Sequence, residues 1–239
     1  MMRSPLSREK ESIDHMMKIA ALVPMRHHSQ RVPGKNYRLL AGKPLFHYII
    51  ETLQKVPEIE HITVDTDSDV IIENLQRHYP GVRTINRPAH LREDDISMNE
   101  ILLFDVSQIE SEFFLQTHST NPLLKAETIS RGIETFFSNY PKSDSLLSVT
   151  RLQTRLYDQY GRAINHDPRK LIQTQDLPPV FEENSCLYMF SRQSLQKYRN
   201  RIGKKPTFFE IDAVEAWDID EELDFSICNY LLGFNTEKS

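Results

Sequence analysis

"KIAALVPMRHHSQRVPGKN", residues 18–36, sets an apolar run of strand length directly against a loop crowded with positive charge. "KIAALVP" reads as a buried strand. Arg26, Arg31 and Lys35 then fall within ten residues, with Arg38 close behind, in a chain whose formal net charge is -5. The loop holds one glycine, Gly34, so it matches neither G-x-x-x-x-G-K-[ST] nor G-x-G-x-x-G. Those are the patterns whose backbone amides cradle phosphate. Side chains must therefore carry the anion: Arg offers a planar fork of donors and Lys a compact point charge.

A nucleoside triphosphate is the anion that needs three such cations plus a metal. A solvated basic loop is the competing reading of any charge cluster. Position directly after the first strand, together with rigid Pro33 and Asn36, tips the balance toward a binding site.

Outward from this stretch, short apolar runs alternate with helix-length amphipathic segments. "KPLFHYIIETLQKV" has helical spacing, with Pro44 in its first turn. "HITVDTD", "VRTINR", "FFLQTH" and "DSLLSVTRL" read as strands, separated by the helices "SDVIIENLQRHY", "SMNEILLFDVSQI" and "AETISRGIETFF". This alternation predicts an α/β fold in three layers, a mostly parallel sheet with helices on both faces. After Arg151 the rhythm changes. Two strands are expected around Tyr160-Gly161-Arg162, then a Pro-rich loop "TQDLPPVFEEN", a strand "CLYMF", a helix "RQSLQKYRN", a strand "TFFEI" and a closing helix "DEELDFSICNYLL". The economical organisation is a disordered extension over 1–16 and one domain over 17–236, with 151–185 an inserted hairpin and loop.

With 239 residues, 39% of them hydrophobic, the chain can bury a sizeable core. Its acidity argues against a nucleic-acid surface, which shows a basic stripe. Cys186 and Cys228 make neither a disulfide framework nor a metal pattern, and read as buried thiols in a reducing compartment. No apolar run approaches the roughly 18 residues of a membrane span, and the first sixteen residues lack a signal-peptide core. The cytoplasm is the expected location. In an open α/β sheet, ligands bind beyond the carboxyl ends of the strands. The basic loop, "DTD", "THSTNP" and the segment before "DID" all lie at such ends.

Arg26, Ser29, Pro33, Lys35 and Asn36, as R-x-x-S-x-x-x-P-x-K-N, resemble the first motif of the acylneuraminate cytidylyltransferases. "S-x-R-x-P-G-K" is closer to the related 3-deoxy-manno-octulosonate enzymes. "VDTDSDVI", "RPAHLREDD", "STNPLLKAETI", "QDLPPVFEENSCLY" and "AWDIDEELDF" resemble the acylneuraminate branch in the same order. The resemblance implies a Rossmann-like nucleotidyltransferase (GT-A-like) fold and transfer of CMP from CTP to a nonulosonic, sialic-like acid, with release of pyrophosphate. It also implies a homodimer into which the hairpin crosses. Alternatives are activation of another keto sugar acid, a nucleotide-sugar glycosyltransferase and a nucleotide-binding homologue of weak activity.

On the nucleotide side the resemblance assigns Arg26, Ser29, Lys35 and Asn36, with Lys35 also counted as catalytic. Gln30 stands where the family has a phosphate-binding lysine, and Arg31 restores that charge one position later. On the acceptor side stand His118, in place of a glutamine, Thr120, Asn121, Gln175 and Asn184, with Ser185 where the family has glycine. Both arginines of the family's "R-R-Q-D-L-P" are absent from this chain.

Asp218 and Asp220 point the same way if their stretch is extended, and could share one hard cation with triphosphate oxygens. Asp220 is equally suited to cap a helix. The resemblance implies that both are catalytic and hold magnesium. Asp65 and Asp67, in "DTD", read instead as a strand end running into a helix cap.

Overall fold

A computed structural model describes residues 19–236, so the expected extension over 1–16 lies outside the described residues. The elements in chain order are β1 (Ile19–Met25), β2 (Leu39–Leu40), β3 (Lys43–Pro44), α1 (Leu45–Leu53), β4 (Ile59–Thr66), α2 (Asp69–His78), β5 (Arg83–Asn86), α3 (Met98–Ser107) and β6 (Phe113–Gln116). They continue with α4 (Ala126–Asn139), β7 (Ser145–Leu152), β8 (Val180–Ser191), α5 (Arg192–Tyr198), β9 (Pro206–Glu210) and α6 (Glu222–Thr236).

β1 is buried along its whole length, and successive side chains leave its opposite faces. Ile19, Ala21, Val23 and Met25 pack with Phe46 and Ile50 of α1, Ile71 of α2 and Ile133 of α4. Ala20 and Leu22 pack on the other face with Leu102 and Val106 of α3 and Leu195 of α5. This strand alone defines the three layers. The helices begin where small hydroxyl residues cap them: Ser68 accepts from Ile71 N, Ser97 from Glu100 N and Ser191 from Ser194 N. Pro44 lies just outside α1, at its N-cap.

The sheet order is β5-β4-β1-β6-β8-β7-β9. β5, β4, β1 and β6 run parallel, as do β7 and β9. β8 opposes both of its neighbours, β6 and β7. The fold is therefore the expected three-layer α/β arrangement with a mostly parallel sheet.

The insertion is narrower than 151–185. Arg151 pairs with Phe181 and Leu152 with Val180, so both ends of that span belong to a β7–β8 ribbon. "VFEEN" carries no alternation because the ribbon has no buried face at Phe181, Glu182 and Glu183, all exposed. Within the arm, the two strands expected around Gly161 reduce to a single bridge, Tyr157 to Ala163.

Candidate active site

The loop leaving β1 is shaped by its own side chains. Ser29 Oγ accepts from Val32 N at 3.3 Å. Val32 is fully buried in an apolar cluster with Leu40, Leu45, Ile219, Phe225 and Cys228, which ties the loop to α6. Gly34 takes a left-handed conformation, φ 65°, and a Cβ there would lie 2.8 Å from the Tyr37 ring, so only glycine fits. The N–H groups of His27, Val32, Lys35, Tyr37 and Arg38 are engaged within the protein. Side chains thus dominate what the loop offers a ligand.

Three distant segments close on this loop. Asn36 is buried and ties the loop to one of them: it donates to Arg26 O within the loop and accepts from Ser119 Oγ of the loop after β6, each at 2.7 Å. The loop after β6 in turn clamps the acidic segment before α6. Ile219 N donates to Thr120 O at 2.9 Å, and Asn121 Nδ2 to Trp217 O at 3.3 Å. Between the loops after β1 and β6 lies a cavity of about 580 Å³ lined by Arg26, Ser29, Arg31, Lys35, Asn36, Asp94, His118 and Thr120, among others. A volume of that order suits a nucleotide-sized ligand.

The cations at this cavity face carboxylates. Arg26 Nη1 and Gln30 Nε2 both reach Asp94, at 2.6 and 2.9 Å. Arg31 Nη2 and Lys35 Nζ both reach Asp220 Oδ1, at 2.8 and 3.4 Å, and Lys35 donates to Ile219 O at 2.6 Å. Arg38 turns away, to Glu222 and over the Phe225 ring. Asp94, a lining residue, was missed in the sequence, where "EDD" looks like a solvated turn.

Asp220 does not act as a cap. It is Asp224 that accepts from the N–H groups of Asp220 and Glu221, at 3.1 and 2.8 Å. Asp218 Oδ1 is buried with no hydrogen-bond partner among the described residues. Burial, with Asp220 close by, holds the Asp218 carboxyl above the ordinary carboxylate range, against a hydrogen bond from Thr120. An orphaned carboxylate oxygen beside a second carboxylate is the donor set that a hard divalent cation completes. Among the described residues no group of three or more His, Cys, Asp or Glu gathers. The site thus supplies two carboxylates at most, which suits a cation that shares its remaining positions with phosphate oxygens and water.

Asp65 takes a different role. It is buried against the equally buried Arg87, to which it is ion-paired, while Asp67 accepts from His27 N at 2.7 Å.

Three acceptor-side residues do not line the cavity. Asn121 is buried behind it. Gln175 is exposed on the arm, where its Nε2 donates to Gln173 Oε1. The Asn184 amide is spent on a β-bulge: its Oδ1 accepts from Ser148 Oγ and Cys186 N, and its Nδ2 donates to Thr150 Oγ1. Ser185, at that bulge, has φ 59°, a conformation that glycine adopts without strain, so the glycine that the resemblance leads one to expect here would fit.

His118 does line the cavity, and burial first, then the charges of Arg201 and Lys35, push its pKa down to about 4. It is a neutral imidazole at physiological pH.

A mostly parallel-sheet domain with a cluster of cationic side chains after its first strand and two carboxylates beside it is the arrangement of a nucleotidyltransferase. The comparisons agree. The sequence model described as "Cytidylyltransferase" matches residues 20–232, and the chain belongs to that family, in its acylneuraminate cytidylyltransferase-like branch.

The chain is 29% identical over 237 residues to a CMP-N,N'-diacetyllegionaminic acid synthase of Legionella pneumophila, covering 92% of this chain and 99% of that one. It is 26% identical over 228 residues to the post-translational flagellin modification protein B of Campylobacter coli, covering 91% and 96%. Among solved structures, a CMP:2-keto-3-deoxy-manno-octonic acid synthetase complexed with CTP shares the fold at a TM-score of 0.69 and 14% identity, covering 91% and 99%. No helix among the described residues is long and apolar enough to cross a membrane.

Proposed function

We propose that this enzyme transfers CMP from CTP to a nonulosonic, sialic- or legionaminic-like acid. The observation that carries the reading is the gathering of Arg26, Arg31 and Lys35 at one cavity, with Arg31 and Lys35 both paired to Asp220. The named relatives, a CMP-N,N'-diacetyllegionaminic acid synthase and a flagellin modification protein, support the choice of acceptor.

In the proposed reaction an anomeric hydroxyl oxygen of the acid forms a bond to the α-phosphorus of CTP. The bond from that phosphorus to the bridging oxygen breaks, pyrophosphate leaves, and the hydroxyl proton passes to solvent. Arg26, Arg31 and Lys35 neutralise the phosphates, and Ser29 and Asn36 hold the loop in shape. Asp218 and Asp220 would hold magnesium, which neutralises phosphate charge when bound. Transfer at phosphorus needs positioning and charge neutralisation above all. His118 and Thr120 face the acceptor.

A homodimer is part of the proposal, and it is the arrangement in which Gln175 reaches a site. The arm leaves Tyr157, Tyr160, Ile164 and Leu171 exposed, and such apolar groups are normally covered. The cytoplasm is its proposed location, supported by the two buried free thiols.

Pyrophosphate release from CTP across a panel of eight- and nine-carbon keto sugar acids tests the reaction. Release with a nonulosonic acid is expected. Release only with 3-deoxy-manno-octulosonate, or with no acid, overturns the reading. Sedimentation showing only monomer at micromolar concentration overturns the dimer.

A further inference from the structure

Behind His118 runs a chain of polar side chains that the reaction above does not use. Gln116 is fully buried at the end of β6. Its Oε1 accepts from Arg201 Nη1 at 2.6 Å, and its Nε2 lies 3.0 Å from His118 Nε2 and 3.2 Å from Thr117 O. Arg201 is itself fixed. Its guanidinium lies 3.6 Å over the Tyr188 ring, Glu183 is 3.9 Å away, and its backbone N–H donates to Asn99 Oδ1 at 3.0 Å.

The donor inventory leaves one assignment for each atom. Arginine has only N–H donors, so the group facing it must be the Gln116 oxygen. The Gln116 NH₂ then faces His118, and an NH₂ group cannot accept. His118 Nε2 must therefore be the unprotonated nitrogen, and the ring proton sits on Nδ1. Protonating Nε2 would set two donors against each other at 3.0 Å, in a place already close to Arg201. His118 Nδ1 makes no hydrogen bond within the described residues, while the ring lines the cavity. The free donor is thus available to a ligand.

We propose that Gln116 and Arg201 are positioning residues that hold His118 in its Nδ1–H form, as a neutral donor to an oxygen of the acceptor sugar. The identity of that ligand rests on the cytidylyl-transfer reading; the tautomer does not. The charged loop after β1 meets the triphosphate, and an uncharged donor on the opposite wall suits a carbonyl, hydroxyl or carboxylate oxygen. The same wall keeps its function across neutral pH, because burial first, then the facing charges of Arg201 and Lys35, keep His118 neutral there against the opposing pull of Asp220.

The test has two arms. In ¹⁵N-histidine-labelled, ligand-free protein, NMR should show His118 as the Nδ1–H tautomer with no titration from about pH 5 to about 8. An Nε2–H tautomer, or titration near its ordinary pKa, overturns the assignment. Gln116→Glu replaces the donor with an acceptor, so it should move the proton to Nε2 and make His118 titrate within that range. In the same variant the KM for the sugar acid should rise about tenfold, with the KM for CTP little changed. Arg201→Lys should keep more of the wild-type acceptor KM than Arg201→Ala.

A switched tautomer with an unchanged acceptor KM overturns the substrate role. If wild-type protein turns over no acid, the reaction is wrong, and the NMR arm still decides the relay.

Discussion

Arg31 Nη2 lies 2.8 Å from Asp220 Oδ1, an ion pair between a proposed phosphate ligand and a proposed metal ligand. The Arg31 side chain is 61% exposed, so the pair contributes at most about 1 kcal/mol to stability. Arg31→Ala should therefore leave the melting temperature nearly unchanged. Its expected effect is on CTP, with kcat/KM falling about tenfold, the scale of a lost charge-assisted bond. Wild-type kinetics in this variant would show that Arg31 does not replace the family's lysine.

Lys35 is more enclosed, with 13% of its side chain exposed, and it donates to both Ile219 O and Asp220. Lys35→Ala should lose tenfold or more in kcat/KM for CTP, by the same magnitude per charge-assisted bond of about 1.5–3 kcal/mol. Gln30→Ala should do little, because Gln30 spends its amide on Asp94 beside Arg26. Steady-state pyrophosphate release checks both.

These contrasts mark how far the sequence could be read. β1 was legible because an uninterrupted apolar run has one economical place, the middle of a covered sheet. The cationic loop was legible because its charges are adjacent in the chain. The reversed direction of β8 was not, since direction leaves no mark on apolar periodicity. Nor was the extension of β8 down to Val180, where Phe181, Glu182 and Glu183 are all exposed and no pattern repeats. Gln116 and Arg201 escaped notice because a hydrogen-bonded pair 85 positions apart has no signature in either neighbourhood. Asn184 was legible as a motif residue, but its work at the bulge depends on Ser148 and Thr150 in another strand.

The buried cluster behind "DTD" predicts a pH dependence of stability. Burial first, then the nearby Asp65 charge, raises the Asp105 carboxyl to about 9. Between the ordinary carboxylate pKa and about 9, the folded chain keeps a proton that the unfolded chain releases. That difference lowers stability as pH rises through the window. Asp105→Asn keeps the shape and a donor while abolishing the ionisation. It should match wild type near pH 4 and exceed it by about 1 kcal/mol or more near pH 8 in urea unfolding. Asp65→Asn should instead cost about 3–5 kcal/mol, because it leaves the Arg87 guanidinium buried without its carboxylate. Equal pH slopes for wild type and Asp105→Asn would contradict this assignment.

Ser185 holds φ 59° at the bulge where β8 slips against β7. A non-glycine residue in that region costs about 1 kcal/mol, offset here by the extra flexibility a glycine would give the unfolded chain. Ser185→Gly should thus change stability by less than about 1 kcal/mol, whereas Ser185→Val should lose about 2 kcal/mol or more. Thermal unfolding of both variants reads the difference directly.

The metal assignment is best tested with asparagine. Asp218→Asn and Asp220→Asn preserve side-chain shape and remove the charge that a hard cation requires. Neither carboxylate is a helix cap in this structure, since Asp224 receives the N–H groups of Asp220 and Glu221. Asp218→Asn also relieves a buried carboxylate whose Oδ1 has no donor among the described residues, so the folded state should not suffer. Asp220→Asn weakens an exposed pair with Arg31 and a longer, 3.4 Å pair with the more enclosed Lys35, each on the scale of about 1 kcal/mol or less for a partner as exposed as Asp220. Both variants should melt within a few degrees of wild type. Both should nevertheless lose most CTP turnover at any practical magnesium concentration and show weakened manganese binding by calorimetry. Asp67→Asn, whose carboxylate accepts from His27 N, should keep most of its turnover. Active Asp218 and Asp220 variants beside an inactive Asp67 variant would move the cation to the end of β4.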